Sequence, residues 1–109
     1  MEKITEKTRN RKELRLSHYI LTRREIEYLA LAALGCENLK IAATLVVSRS
    51  TVKKTLENVF RKLKARNRTH AVSKAFTLGI LTPQLLTDAN NIFKVDEWNL
   101  QGLSDEIEV

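Results

Sequence analysis

Ser50, Lys53, Lys54, Glu57 and Arg61 recur at three- and four-residue intervals along one stretch of the chain. At about 100° per residue these five share one side of a helix, and Val52, Leu56, Val59, Phe60 and Leu63 occupy the other. Ammonium and guanidinium groups donate to phosphate oxygens and to guanine O6 and N7, and a carboxylate accepts from a cytosine amino group. A helix with this outer side and an apolar inner side suits reading of a DNA major groove. The competing reading is a solvated basic surface, and the surrounding elements decide between the two. No other grouping carries chemistry of its own. Cys36 is the only cysteine, and His18 and His70 stand far apart. No nucleophile lies in pattern with a base, no carboxylates pair on a helix face, and no metal-ligand spacing occurs. The expectation is a protein that is not an enzyme and needs no metal and no cofactor.

The helix carrying these residues starts after Ser48, whose side-chain oxygen suits an N-cap. Upstream, Asn38 to Leu45 reads as a short helix burying Ile41, Ala42 and Leu45, with only Val46 and Val47 before Ser48. A short helix, a tight turn and a longer basic helix form the order of a helix-turn-helix. An earlier helix opens at Thr22 and Glu25, a capping box with Leu21 placed to staple to Ile26. It continues through Leu29, Ala30 and Ala33 and stops at Gly35. After Leu63, Lys64 to Arg68 reads as a basic loop. Thr69 is the expected cap of a fourth helix ending near Gly79, apolar over two adjacent faces, one bearing Val72 and Phe76. One face serves the domain's own core, and the other is open to a second copy or to the segment that follows. Thr82-Pro83 opens an expected fifth helix to about Lys94.

The chain has 109 residues and a formal net charge of +6. That length holds one small domain, with no room beside it for a separate sensor of about 100 residues or more. The positive balance points to a polyanion. Residues 1–24 hold eight Lys or Arg against three acids, residues 25–83 ten against four, and residues 84–109 one against six. The division is therefore a basic arm over residues 1–20, a helix-turn-helix domain over 21–81, a helix over 82–94 and an acidic tail over 95–109. The arm is a candidate for phosphate contact, the tail for protein contact. No apolar run approaches the roughly 18 residues of a membrane span, and the first residues lack a signal-peptide core. The expectation is a cytoplasmic protein without membrane partners.

The run from Leu21 to Leu81 resembles the LuxR-type (LuxR/FixJ/GerE) DNA-binding domain of bacterial transcription regulators. The residues that carry the resemblance are Leu21-Thr22, Arg24-Glu25, Gly35, Asn38, Ile41-Ala42, Ser48, Thr51-Val52-Lys53 and Lys62-Leu63. They continue with Asn67-Arg68-Thr69, Ala71-Val72, Ala75 and Gly79-Ile80-Leu81. The resemblance implies an all-α, four-helix domain whose third helix enters the major groove and whose fourth contributes to a dimer, here through Val72, Ala75 and Phe76. It places Lys53, Lys54 and Glu57 toward the groove and Ser50 and Thr51 nearer the phosphates. Arg61, Lys62, Lys64, Arg66 and Arg68 are the candidate neutralisers of the DNA backbone.

The sequence departs from the family pattern at Glu37, at Leu39-Lys40, at Thr55 and at Glu57. Asn38 is the expected replacement cap of the second helix. Glu57 sets a carboxylate in the middle of a face meant for DNA, where it either specifies a C·G pair or weakens binding. The leading expectation is a stand-alone transcription regulator that binds duplex DNA as a homodimer. The alternative is a protein-interaction module that heterodimerises with another regulator or touches RNA polymerase.

Overall fold

In the computed structural model, residues 20–97 are described, and the regular elements among them are all helices. In chain order they are α1 (Arg23–Ala33), α2 (Asn38–Leu45), α3 (Arg49–Leu63), α4 (Arg68–Thr77) and α5 (Pro83–Phe93). The basic arm up to residue 19 and the acidic tail from residue 98 lie outside the described residues.

α1 begins as the sequence predicts. Thr22 Oγ1 accepts from the Glu25 amide at 3.1 Å, and Glu25 Oε1 accepts from the Thr22 amide at 2.8 Å. Two orphan donors are thereby satisfied reciprocally. At its other end Gly35 adopts φ 91°, and the Cys36 amide donates back to the Leu31 carbonyl at 3.0 Å. That left-handed turn is open to glycine at little cost.

α1 and α3 form the spine, and each divides its buried residues between two clusters. Leu29 and Ala30 of α1 join Val59 and Leu63 of α3, together with Ala71, Ala75, Ile80, Leu81 and Ala89. One turn away, Tyr28, Leu31 and Ala32 join Val52 and Leu56, with Ile41, Ala42 and Leu45 of α2. The i, i+4, i+7, i+11 series from Val52 to Leu63 thus holds α3 down along its whole length, each such side chain contributing roughly 1.5–3 kcal/mol on burial.

Between α2 and α3 the chain turns at Val46, which takes φ 56° and ψ 54° and is 88% exposed. A β-branched residue there costs about 1–2 kcal/mol. Val47, half-buried against the second cluster, and its amide bond to the Ala42 carbonyl at 3.0 Å hold the turn in place.

Several local expectations are corrected. α4 is capped by Asn67, whose Oδ1 accepts from the His70 amide at 2.8 Å, so that the helix starts before Thr69 and takes in Arg68. α2 has Glu37 at its N-cap without a side-chain bond. Asn38 does not cap it, because its Oδ1 is bonded by the Arg68 guanidinium. Thr82 caps α5 with Pro83 in the first turn, as the sequence predicts. α5 packs on α1, and Ala89 enters the first cluster. Val95, the first residue of the expected tail, is buried in the second cluster.

Candidate nucleic-acid interface

α3 is anchored by its four buried residues and turns Ser50, Thr51, Lys53, Lys54, Glu57 and Arg61 to solvent. Ser48 Oγ accepts from the Thr51 amide at 3.1 Å. It also lies 3.0 Å from Ser50 Oγ and 2.9 Å from Thr51 Oγ1. Three hydroxyls therefore surround the N-terminus of α3, where the helix dipole favours an anion. One turn further on, Lys53 and Lys54 are exposed and form no ion pair with any acid among the described residues. Glu57 is likewise exposed and without an ion-pair partner among them.

The C-terminal half of α3 is organised around one carboxylate. Glu25, 7% exposed, sits at the crossing of α1 and α3. Lys62 Nζ lies 2.9 and 3.0 Å from its two oxygens, and Asn58 Nδ2 donates to Oε2 at 3.0 Å. Asn58 Oδ1 in turn accepts from the Arg61 guanidinium. Burial by itself raises the Glu25 carboxyl, but the Thr22 amide, the Lys62 ammonium and the Asn58 amide outweigh it and hold it below its ordinary value. Lys62, expected to neutralise DNA phosphate, is thus committed to an internal ion pair. The companion cation Arg61 is steadied on the outer face.

Arg68 is committed in the same way. Its guanidinium donates to the Cys36 carbonyl at 2.7 Å and to Asn38 Oδ1, bridging α4 to the start of α2. Burial pushes the Cys36 thiol up, against the charges of Lys40 and Arg68. Of the other basic residues, Lys64 closes α3 in a left-handed conformation at φ 54°, and Lys74 Nζ donates to the Leu63 and Lys64 carbonyls at 3.1 and 3.0 Å. Lys64 and Arg66 remain exposed beyond the end of α3.

The exposed cations without an acid partner among the described residues are Lys53, Lys54 and Arg61 on the outer side of α3 and Lys64 and Arg66 beyond its end, and Arg49 is exposed at its first turn on the side that continues the buried stripe. The helical pattern alone does not single it out, because at about 100° per residue it lies in line with Leu56 and Phe60 and is exposed only as the first residue of the helix. Arg24, by contrast, is committed within the domain and pairs with Glu27 at 3.3 Å. Its guanidinium caps the Leu45 carbonyl at 3.1 Å and lies 5.7 Å from the Tyr28 ring centroid, fixing the end of α2 against α1. Among the expected dimer residues, Phe76 is 38% exposed and Val72 half-buried, whereas Ala75 is fully buried in the first cluster and packs the domain itself.

Among the described residues no group of His, Cys, Asp and Glu could hold a metal ion. No helix among them is long and apolar enough to cross a membrane.

Residues 19–75 match the family profile described as "Bacterial regulatory proteins, luxR family". Over 56 residues the chain is 46% identical to the CsgBAC operon transcriptional regulatory protein of Escherichia coli strain K12, covering 51% of this chain and 26% of that protein. The same figures hold for the probable csgAB operon transcriptional regulatory protein of Salmonella typhimurium. The response regulator protein VraR of Staphylococcus aureus is 42% identical over 71 residues, 64% of this chain and 34% of its own length. The chain thus spans a quarter to a third of the length of these curated relatives. With α2, the Val46 turn and α3 in helix-turn-helix order and the match spanning more than half of the residues, the chain belongs to the luxR family of bacterial regulatory proteins and carries their DNA-binding domain.

Proposed function

We propose that this chain regulates transcription by binding duplex DNA as a homodimer, with the outer face of α3 in the major groove. The observation that carries this reading is the row of exposed cations Lys53, Lys54 and Arg61 on a helix whose opposite side is fully anchored, without an acid paired to any of them among the described residues. Lys53 and Lys54 donate to guanine O6 and N7 or to phosphate. Ser50, Thr51, Arg49, Arg61, Lys64 and Arg66 neutralise or position the backbone. The exposed edge of α4 at Phe76, with Val72 beside it, is the surface offered to the second copy. The reaction is binding, with no catalytic step and no cofactor, and its setting is the bacterial cytoplasm.

Selection of bound sequences from a random duplex pool, followed by titrations at several salt concentrations, tests this reading. The expected product is a palindrome. With about four to six phosphates neutralised per monomer, log affinity falls with log salt at a slope of about 4 to 5 per monomer. A flat salt response, or no enriched sequence, overturns the proposal.

Glu57 supports a second reading, a module that pairs with another regulator or with the transcription machinery while holding DNA weakly. Its carboxylate stands exposed, with no ion-pair partner among the described residues. Replacing Glu57 by alanine separates the two. If Glu57 accepts from a cytosine amino group, the variant loses about 1–3 kcal/mol of preference for that C·G pair. If it repels phosphates, the variant binds all duplexes more tightly and gains no altered preference. Competition titrations with the selected site and its single-base variants distinguish the outcomes.

A further inference from the structure

α1 has two flanks. Arg24, Glu25 and Tyr28 line a depression shared with Lys54, Thr55 and Asn58 of α3. Ile26 turns the other way, and with Leu21 and the buried Ala30 it forms one wall of a largely apolar groove whose second wall is Leu85, Ala89 and Ile92 of α5. The groove encloses about 400 Å³. Ile92 stands on its lip, 71% exposed. A large apolar side chain left in solvent beside an apolar groove marks a surface made to be covered. DNA on the outer face of α3 does not cover it, because the groove opens on the flank of α1 turned away from α3.

Charge and connectivity select the occupant. Arg23, Glu27 and Asp88 are the charged residues at the groove; Glu27 is paired with Arg24 at 3.3 Å, whereas the Asp88 carboxylate accepts from Gln84 Nε2 at 2.9 Å and has no ion-pair partner among the described residues, which leaves an acid open to a basic segment. Asp96 and Glu97 follow on the same segment, against Lys94 alone. The C-terminal residues 98–109 would bring Asp105, Glu106 and Glu108 against these acids. A symmetric contact with a second copy would bring two Asp88 side chains into one interface.

Residues 1–19 have the opposite character, with six Lys or Arg against three acids. Their apolar residues concentrate next to the groove as Leu14, Leu16 and Tyr19, and Leu16, Tyr19 and Ile20 follow an i, i+3, i+4 spacing. Ile20 already packs against the first cluster, and Leu21 is part of the groove wall. The segment is therefore tethered at the mouth of the groove, where its effective concentration is high.

We propose that residues 1–19 of this chain dock into the groove between α1 and α5, with their apolar side chains against Ile26 and Ile92 and a basic side chain against Asp88. The docked arm holds its positive charge on the flank away from the recognition helix. The arm then contributes no phosphate contacts.

Hydrogen exchange of the full chain in the absence of DNA, read by mass spectrometry, tests the docking independently of any DNA-binding role. Amides of residues 10–19 are expected to be protected at all protein concentrations. Ile92→Asp and Asp88→Lys each raise their exchange by about tenfold or more, while amides of α1 and α3 are unchanged because both replaced side chains are exposed. Combining Asp88→Lys with Lys12→Glu and Arg15→Glu is expected to restore protection. Arm amides that exchange at the rate of an unstructured peptide in the parent protein overturn the proposal, as do variants that leave protection unchanged. Protection that grows with protein concentration, accompanied by dimer in sedimentation, assigns the groove to a second copy and likewise overturns it.

Discussion

Replacing Lys53 and Lys54 together by alanine is expected to weaken binding to the selected duplex by about a hundredfold, since each lysine contributes either a base-edge contact of roughly 1–3 kcal/mol or one neutralised phosphate. The two roles are separable in one experiment. If both ammonium groups serve phosphates, the log–log salt slope flattens by about 2 per monomer and all duplexes weaken alike; if they read guanine, the slope holds and discrimination between sites is lost. Thermal stability should move by no more than about 0.5 kcal/mol, because both side chains are exposed and neither enters an ion pair among the described residues. Fluorescence anisotropy at three salt concentrations, with a melting curve of the same protein, checks both halves. Unchanged affinity would place the DNA contact elsewhere on the molecule.

Glu25→Ala is expected to act in the opposite sense, lowering stability by about 2–3 kcal/mol before any effect on DNA is considered. The change strands the Lys62 ammonium and the Asn58 amide and removes one half of the capping box at Thr22. The cost stays below that of a fully buried pair because the Lys62 side chain is 31% exposed and partly screened by water. Against a domain stability of about 5–15 kcal/mol this is a large fraction, and urea unfolding would register it. The same carboxylate makes the domain acid-sensitive. Its folded-state value lies below the ordinary 4.5, so its contribution is complete above about pH 4.5 and is lost as pH falls through the depressed value. The pH profile of parent and variant should therefore converge at low pH. Lys62→Met tests the pairing: in a double-mutant cycle its cost and that of Glu25→Ala should not add. Parallel profiles, or strict additivity, would show that the ion pair does not hold α1 to α3.

Local devices were legible in the sequence, and pairings between distant residues were not. The capping box at Thr22 and Glu25, the Ser48 cap and the Thr82-Pro83 start are local devices written into three or four consecutive residues, and each occurs as the sequence predicts. The inner stripe of α3 was equally readable, because helical period and burial coincide there. Lys62 and Arg68 were not, for a physical reason. Both belong to a basic stretch of sequence, Lys62 in the last turn of α3 and Arg68 at the start of α4, and only the fold brings Glu25 to one and the Cys36 carbonyl to the other, 37 and 32 positions away. A positive charge in sequence does not tell whether its partner is a phosphate or a distant element of its own chain. Asn67 displaced Thr69 as the cap of α4 for a similar reason. Both residue types cap well, and the choice depends on where the turn after Lys64 delivers the chain. The packing of α5 on α1 was the least legible feature, because two faces of α4 offered an equally apolar place to dock.

Val95 gives the molecule a property that its helix-turn-helix alone does not have. The family profile matches residues 19–75, and beyond them Ile80, Leu81, Ala89 and Val95 are all buried, Val95 in a cluster with Val52 and Leu56 beneath α3. The core under α3 therefore extends past the profile match. A chain cut at the family boundary keeps every candidate DNA contact on α3 but leaves Leu29, Leu31 and their neighbours without part of their cover, and during synthesis the support under α3 stays incomplete until residue 95 has emerged. The inner side of α3 is completed by a residue from beyond α5.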